Sequence, residues 1–435
     1  IISMLAEVPD LWDLKSSDWT VETASARFAE QGAQEPWVRF AKPLTDRPIV
    51  GVGRFTSPDA MVSQIKRGVL DLIGAARPSI ADPFLPKKID EGREDEIREC
   101  IGCNICVSGY HDGVPARCTQ NPTMGEEWRR KWHPERIPKA ASPDNVLVVG
   151  AGPAGLECAR ALGQRGYAVT LAEARDELGG RVTIESQLPG LGSWSRVRDY
   201  RVHALQTMPN VDIYRGSSLS AQDVVDFGCD HAVIATGAGW SPQILDVEGY
   251  PRDLTGAPVL TPDDVLAGIK VAGPVIVYDF DHYTMGACLA ELLTERDLDV
   301  TLVTPANAVS AWTFMNNESG RIRSRLMELG IDIELEKRVV GLVDGQVELA
   351  HAYANDQREY RECGALVVVG SRRPNDHLFG ELAGNDNLSS IRAIGDCRAP
   401  GAIVHAVYSG HECARTIESD ADGDSNAIAW ETAQL

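Results

Sequence analysis

The stretch NVLVVGAGPAG, residues 145–155, restricts the fold of this chain more than any other. Val146–Val149 read as a strand covered on both faces. Gly150-Ala151-Gly152-Pro153-Ala154-Gly155 then turns into the helical stretch LECARALGQRG, and the strand YAVTLAEA follows. Together they form a βαβ unit of about thirty residues, the context that separates a nucleotide-binding glycine turn from a chance match. Glu173 ends the second strand, 23 residues after Gly150, where a carboxylate can hold an adenosine ribose 2′-OH and would repel a 2′-phosphate. Gly179-Gly180-Arg181, Ala235-Thr236-Gly237 and Gly395-Asp396 recur at the spacings of flavoproteins with two dinucleotide domains. An adenine nucleotide is therefore expected.

A second unit begins near Pro274 with VIVY, a helix over 285–293 and the strand DVTLVT. Its turn reads Tyr278-Asp279-Phe280-Asp281-His282-Tyr283-Thr284-Met285-Gly286, where side chains block close approach and Asp279 and Asp281 repel a pyrophosphate. This unit is expected to keep the fold without binding NAD(P)H.

Between residues 96 and 141 the sequence loses periodicity and becomes rich in Cys, Gly, Pro and Trp. Cys100-x₂-Cys103-x₂-Cys106 sets three thiolates on one tight loop, and Cys118 can close a tetrahedral set. Four soft thiolates suit a [4Fe–4S] cluster or zinc. Zinc sites more often pair two CxxC knuckles, so the cluster is the favoured reading.

Residues 1–95 alternate short apolar strands (Leu11–Leu14, Pro48–Gly53, Asp71–Arg77) with helical stretches. The stretch SPDAMVSQIKRG is a helix with Ser57 as N-cap, Pro58 at its first position and Gly68 as its stop. Repeated βα units imply parallel strands and match the last strands of a (β/α)₈ barrel. Gly53-Arg54 and Ala76-Arg77 fall after the last two, where such barrels bind phosphate and where an Arg supplies a charge-assisted fork; solvated rim arginines are the competing reading.

The expected fold is thus α/β, with the carboxyl-terminal part of a TIM barrel over 1–95 and an iron–sulfur segment over 96–141. A nucleotide domain is expected over 142–260 and 371–435, with a degenerate NAD(P)-like domain over 261–370. Because the chain opens on Ile1 in mid-element, with neither Met nor signal peptide, an amino-terminal truncation is expected. A net charge of −21 disfavours nucleic acid and anionic lipid partners. Six of the ten cysteines are scattered, which suits a reducing compartment and a cytoplasmic location better than a disulfide scaffold.

The stretches ECIGCNICVSG, CTQNPTMGEEWRRKWHPE, VLVVGAGPAGLE, LPGLGSW, IATGA and ARPSIADPFLPKK resemble the trimethylamine and dimethylamine dehydrogenase branch of the old yellow enzyme-like flavoproteins. Histamine dehydrogenase and the N-methylproline and dimethylglycine demethylases share the resemblance, which covers nearly the whole chain. It implies an FMN barrel, a [4Fe–4S] cluster, and nucleotide domains that hold ADP in the amine dehydrogenases but FAD and NADPH in the dienoyl-CoA reductases. By position it implies that Trp19 and Tyr110 wall the substrate amine and that Glu22 stands where the family has a catalytic Asp. It also makes Trp312 the aromatic that docks an electron-transferring flavoprotein. On the residues alone, Trp19 and Tyr110 fit ordinary packing or rim positions, and Trp312 fits simple burial. The expected activity is oxidative N-demethylation of a small amine, in a protein that is a homodimer at full length. An NAD(P)H-dependent enoyl reductase and an inactive electron-transfer fragment are the alternatives.

Overall fold

The structure is a computed structural model, and it describes residues 1–16, 18–109, 113–128, 132–246, 249–254 and 258–418. It opens with three short strands, β1 (Trp12–Leu14), β2 (Ile49–Gly51) and β3 (Leu72–Ile73), paired in parallel in that order. Helix α1 (Pro58–Lys66) joins the last two; the Ser57 hydroxyl accepts from Ala60 N, and Gly68 at φ 67° ends the turn. The third strand is shorter than the sequence suggests. Helix α2 (Ala76–Ala81) begins where the strand was expected to continue, so Arg77 lies in a first helical turn rather than at a strand end.

Further along, β4 (Asn145–Val149), α3 (Pro153–Arg165) and β5 (Ala168–Ala172) form the βαβ unit. Pro153 opens α3, and Gly166, at φ 95°, closes it in the left-handed conformation. After α4 (Arg196–Gln206) come β6 (Val211–Tyr214) and β7 (His231–Ile234). The chain then departs through β8 (Val259–Leu260), β9 (Val275–Asp279), α5 (Met285–Thr294), β10 (Val300–Val303) and β11 (Asp332–Glu334). The antiparallel strands β12 (Lys337–Val343), β13 (Gln346–His351) and β14 (Ala354–Glu362) precede β15 (Ala365–Val369). It returns as β16 (Ser390–Ala393) and α6 (Ile403–Thr416).

Two compact units result, the first from residues 1–183, 193–237 and 374 onward, the second from 184–192 and 238–373. Residues 259–260, as β8, pair with β15 in the sheet of the second unit.

In the first unit the parallel sheet runs β16-β7-β4-β5-β6, with α3 and α6 packed together on it. Val146, Val148, Leu156, Leu162, Leu171 and Val233 lie in its core, all almost fully buried. At roughly 1.5–3 kcal/mol for each large apolar side chain, this core is the main stabilising term. A Cβ on Gly410 would overlap the carbonyl oxygen of Ala154, so α6 lies backbone to backbone on α3. In the second unit the parallel sheet runs β8-β15-β9-β10-β11, beside the three-stranded antiparallel sheet β12-β13-β14. No helix among the described residues is long and apolar enough to cross a membrane.

Candidate redox and nucleotide sites

Cys100, Cys103, Cys106 and Cys118 are all free thiols held in one neighbourhood. Burial and the adjacent thiols push Cys103, Cys106 and Cys118 up to about 12 each. Donors surround the sulfurs: Gly102 N lies 3.3 Å from Cys100 Sγ and the Thr119 hydroxyl 3.2 Å from Cys103 Sγ. Backbone N–H groups of Ile105 and of Gln120 and Asn121 point at Cys103 and Cys118 respectively. Such donors stabilise sulfur that carries negative charge, as cluster ligands do. Among the described residues no set of three or more His, Cys, Asp or Glu closes on a single metal ion. The donor set is all sulfur, which fits a cluster that spreads its ligands over several irons.

The two arginines of the barrel end diverge in use. Arg54, at φ 58°, buries Nε and Nη1 with no hydrogen-bond partner among the described residues. Burial, with Arg77 nearby, lowers its pKa. An unpaired buried guanidinium is costly, and an anion such as a flavin phosphate would relieve it. Gly53 lies beside it, its added Cβ 3.1 Å from Gly32 Cα. Arg77 already has protein acceptors: Nη1 donates to Ala24 O at 2.9 Å and Asn104 Oδ1 at 2.6 Å, and Nη2 donates to Glu22 O at 3.3 Å. Ala76, exposed, opens α2.

Trp19 is half exposed on the short helix Trp19–Glu22, capped by Asp18. Glu22 Oε1 accepts from the Ser16 hydroxyl at 3.4 Å. Tyr110 lies outside the described residues.

The nucleotide turn is built for close approach. Gly150 has φ 103°, a Cβ on Gly155 would overlap Gly150 O, and a Cβ on Gly152 would meet nothing within 4 Å, so the turn presents open backbone. Gly180, at φ 56°, packs so near Gly152 that an added Cβ would lie 3.0 Å from the Gly152 Cα, and Arg181 starts the next short helix. Glu173 is buried and steadies the turn: Oε2 accepts from Ala151 N at 2.7 Å and Oε1 from Arg175 N at 2.9 Å. Thr236 donates to Asn375 O at 2.6 Å, next to Gly237 at φ 75°, and Asp396 accepts from Gly401 N at 3.0 Å.

Buried charge ties the cluster segment to this fold. Glu157 accepts from Arg160 Nη2 at 2.6 Å and Arg201 Nε at 2.8 Å, and lies 2.9 Å from His411 Nδ1. Arg201 Nη1 reaches Gln120 Oε1 at 2.8 Å, two residues past the last cysteine. Burial opposes ionisation of Glu157, yet Arg160, Arg201 and His411 hold it well below the usual carboxylate range. Sequence reasoning missed this cluster because Glu157 and Arg160, three apart on a helix, look like a surface pair.

In the second unit Asp279 is fully buried, with Oδ1 accepting from His282 N at 3.0 Å. An added Cβ on Gly286 would lie 2.5 Å from its carboxyl carbon, and one on Gly370 would overlap the Phe280 ring. Carboxylate and ring thus fill the strand ends that a dinucleotide would need. Burial, then Asp281, push Asp279 up to about 7. Its folded value exceeds the unfolded 3.8, so the native state binds more protons between 3.8 and about 7, and stability falls as pH rises through that window. Acidifying from about pH 8 to pH 5 should strengthen this unit by on the order of 1–3 kcal/mol, read as slower amide exchange over 275–290. Asp279→Asn should remove that pH response. Trp312, 65% exposed beside Phe314 at 73%, stands at the surface of this unit; simple burial does not hold for it.

The pyridine nucleotide-disulphide oxidoreductase model matches residues 144–410, and the NADH:flavin oxidoreductase / NADH oxidase model matches residues 2–96. Dimethylamine dehydrogenase of Hyphomicrobium sp. (strain x) is 39% identical over 458 residues, 97% of this chain and 62% of that protein. Histamine dehydrogenase from Rhizobium sp. 4-9 superposes with a TM-score of 0.95 at 46% identity, covering 100% of this chain and 65% of that one. The 6-hydroxypseudooxynicotine amine oxidase from Pseudomonas geniculata N1 gives 0.91 at 45%, over 96% and 63%. This chain spans less than two thirds of the length of each.

Proposed function

Since this chain belongs to the pyridine nucleotide-disulphide oxidoreductase family and is similar throughout to flavin-dependent amine dehydrogenases, we propose that it serves oxidative N-demethylation of a small amine or amino acid. The observation that carries this reading is the convergence of four sulfurs with the loop bearing Trp19 and Glu22, next to the unpaired Arg54 guanidinium. FMN, when bound, supplies a two-electron acceptor, and a [4Fe–4S] cluster on Cys100, Cys103, Cys106 and Cys118 supplies a one-electron exit.

The residues of the chain do the rest. Arg54 and Arg77, at the loops of Gly53 and Ala76, hold the flavin phosphate. The ring of Trp19, with Tyr110, favours a methylammonium cation by up to ~2 kcal/mol once water is excluded. Glu22 orients the amine and takes its proton. Breaking a methyl C–H bond with loss of a hydride equivalent, which the flavin would accept when bound, leaves an iminium, and addition of water to it gives formaldehyde and the shortened amine. The open turn Gly150–Gly155, with Glu173, Gly180, Arg181, Thr236, Gly237 and Asp396 around it, holds ADP or FAD. Trp312 docks an electron-transferring flavoprotein. Domain limits follow the two units and the cluster segment.

In the full-length protein, an anaerobic panel of N-methylated and primary amines should bleach the flavin with at least one member, while NADH and NADPH leave it oxidised over the same time. Rapid bleaching by NADPH would instead favour an enoyl reductase. Flavin that no amine reduces would favour a detached electron-transfer module.

A further inference from the structure

Four backbone groups in the loop that follows Glu22 are held from outside it. Arg77 donates to Glu22 O and Ala24 O, Asn104 Nδ2 donates to Thr23 O, and Ala26 N donates to Gly102 O at 2.9 Å. The Arg77–Asn104 bond, 2.6 Å, links the first two donors. Gly102 comes so near that an added Cβ would lie 2.7 Å from Ala26 Cβ. Asn104 is 1% exposed and sits at φ 60°, between the ligands Cys103 and Cys106.

The residue types are specific to these bonds. Gly would adopt φ 60° with less strain, but only a side-chain amide donates to Thr23 O and accepts from Arg77 at once. Lys in place of Arg77 could not reach three acceptors from one planar fork. We propose that Asn104 and Arg77 are positioning residues, a clamp through which the cluster loop sets the place of the Glu22 carboxylate at the substrate. This deepens the functional reading above and rests on it for the role of Glu22. Its consequence is directional: a change in the cluster loop reaches the backbone that carries Glu22 through the hydrogen bonds of Asn104, Arg77 and Gly102.

The test uses full-length holoenzyme carrying Asn104→Gly, which keeps the left-handed backbone and deletes both side-chain bonds, and Asn104→Asp, which keeps only the acceptor. Expected for Asn104→Gly are wild-type iron content and an unchanged electron paramagnetic resonance signal of the reduced cluster. Amide exchange over 22–26 should rise by about tenfold, and amine-driven flavin reduction should slow by about tenfold or more, with KM raised. Asn104→Asp should show both effects too, since the donor to Thr23 O is gone. Unchanged exchange and unchanged flavin reduction with the cluster intact overturn the proposal. So does loss of the cluster in both variants, which would make Asn104 a structural residue of the metal loop alone. If no amine reduces even the wild-type flavin, the functional reading fails by itself, and the exchange arm still decides whether the clamp exists.

Discussion

Cys118→Ala should strip the cluster from the protein, with iron content falling toward zero and steady-state amine oxidation through a one-electron acceptor dropping about a hundredfold or more. Three thiolates remain on one loop, but the fourth corner of the set comes from Cys118, twelve residues after Cys106. Single-turnover bleaching of the flavin by substrate should persist, because the acceptor is still present and only its exit is cut. Anaerobic preparation of the wild type with an iron supply, followed by metal analysis, checks the premise. Zinc in that preparation would sink it.

Glu157→Leu should be the most damaging substitution away from the redox site. It leaves Arg160 and Arg201 buried without their shared carboxylate, a cost of about 3–5 kcal/mol. For a domain of this size that corresponds to a fall in the thermal midpoint on the order of 10 °C. The same cluster fixes an acid limit. Burial holds His411 down to about 4, below its unfolded 6.5, so the unfolded chain binds more protons between those values. Stability of the first unit is therefore lost as pH falls from 6.5 toward 4, and Glu157, also depressed, adds to the loss at the lower end. Calorimetry across that range should show the midpoint decline, the reverse of the response expected around Asp279.

The backbone plan was legible because it rests on local patterns. A buried strand before GAGPAG, Pro153 inside the start of α3 and Gly166 at its end are signals within twenty residues of one another. Ser57 and Gly68 bracket α1 in the same way. The second turn was read from Asp279 and Asp281 as a place of charge repulsion. The structure adds a steric cause, since Phe280 lies against Gly370, ninety residues away, where no local pattern could place it. The end of β3 was not legible for a related reason: DLIGAAR reads as one strand, but only Leu72 and Ile73 are strand before α2 begins at Ala76. The clamp through Asn104 was invisible because its partners, Thr23 and Arg77, are 81 and 27 positions distant. Spacing encodes ligands on one loop; it does not encode which loop they lean on.

The packing of α6 on α3 bears on how the protein emerges from the ribosome. Arg165 donates to Ala414 O and pairs with Glu418 across roughly 250 positions, so the face of α3 that α6 covers stays open until almost all of the chain has been made. Residues 238–373 can fold on emerging, while the earlier unit must wait with an apolar face exposed to whatever else is nearby. Shortening the carboxyl end should therefore impair yield well before it touches chemistry.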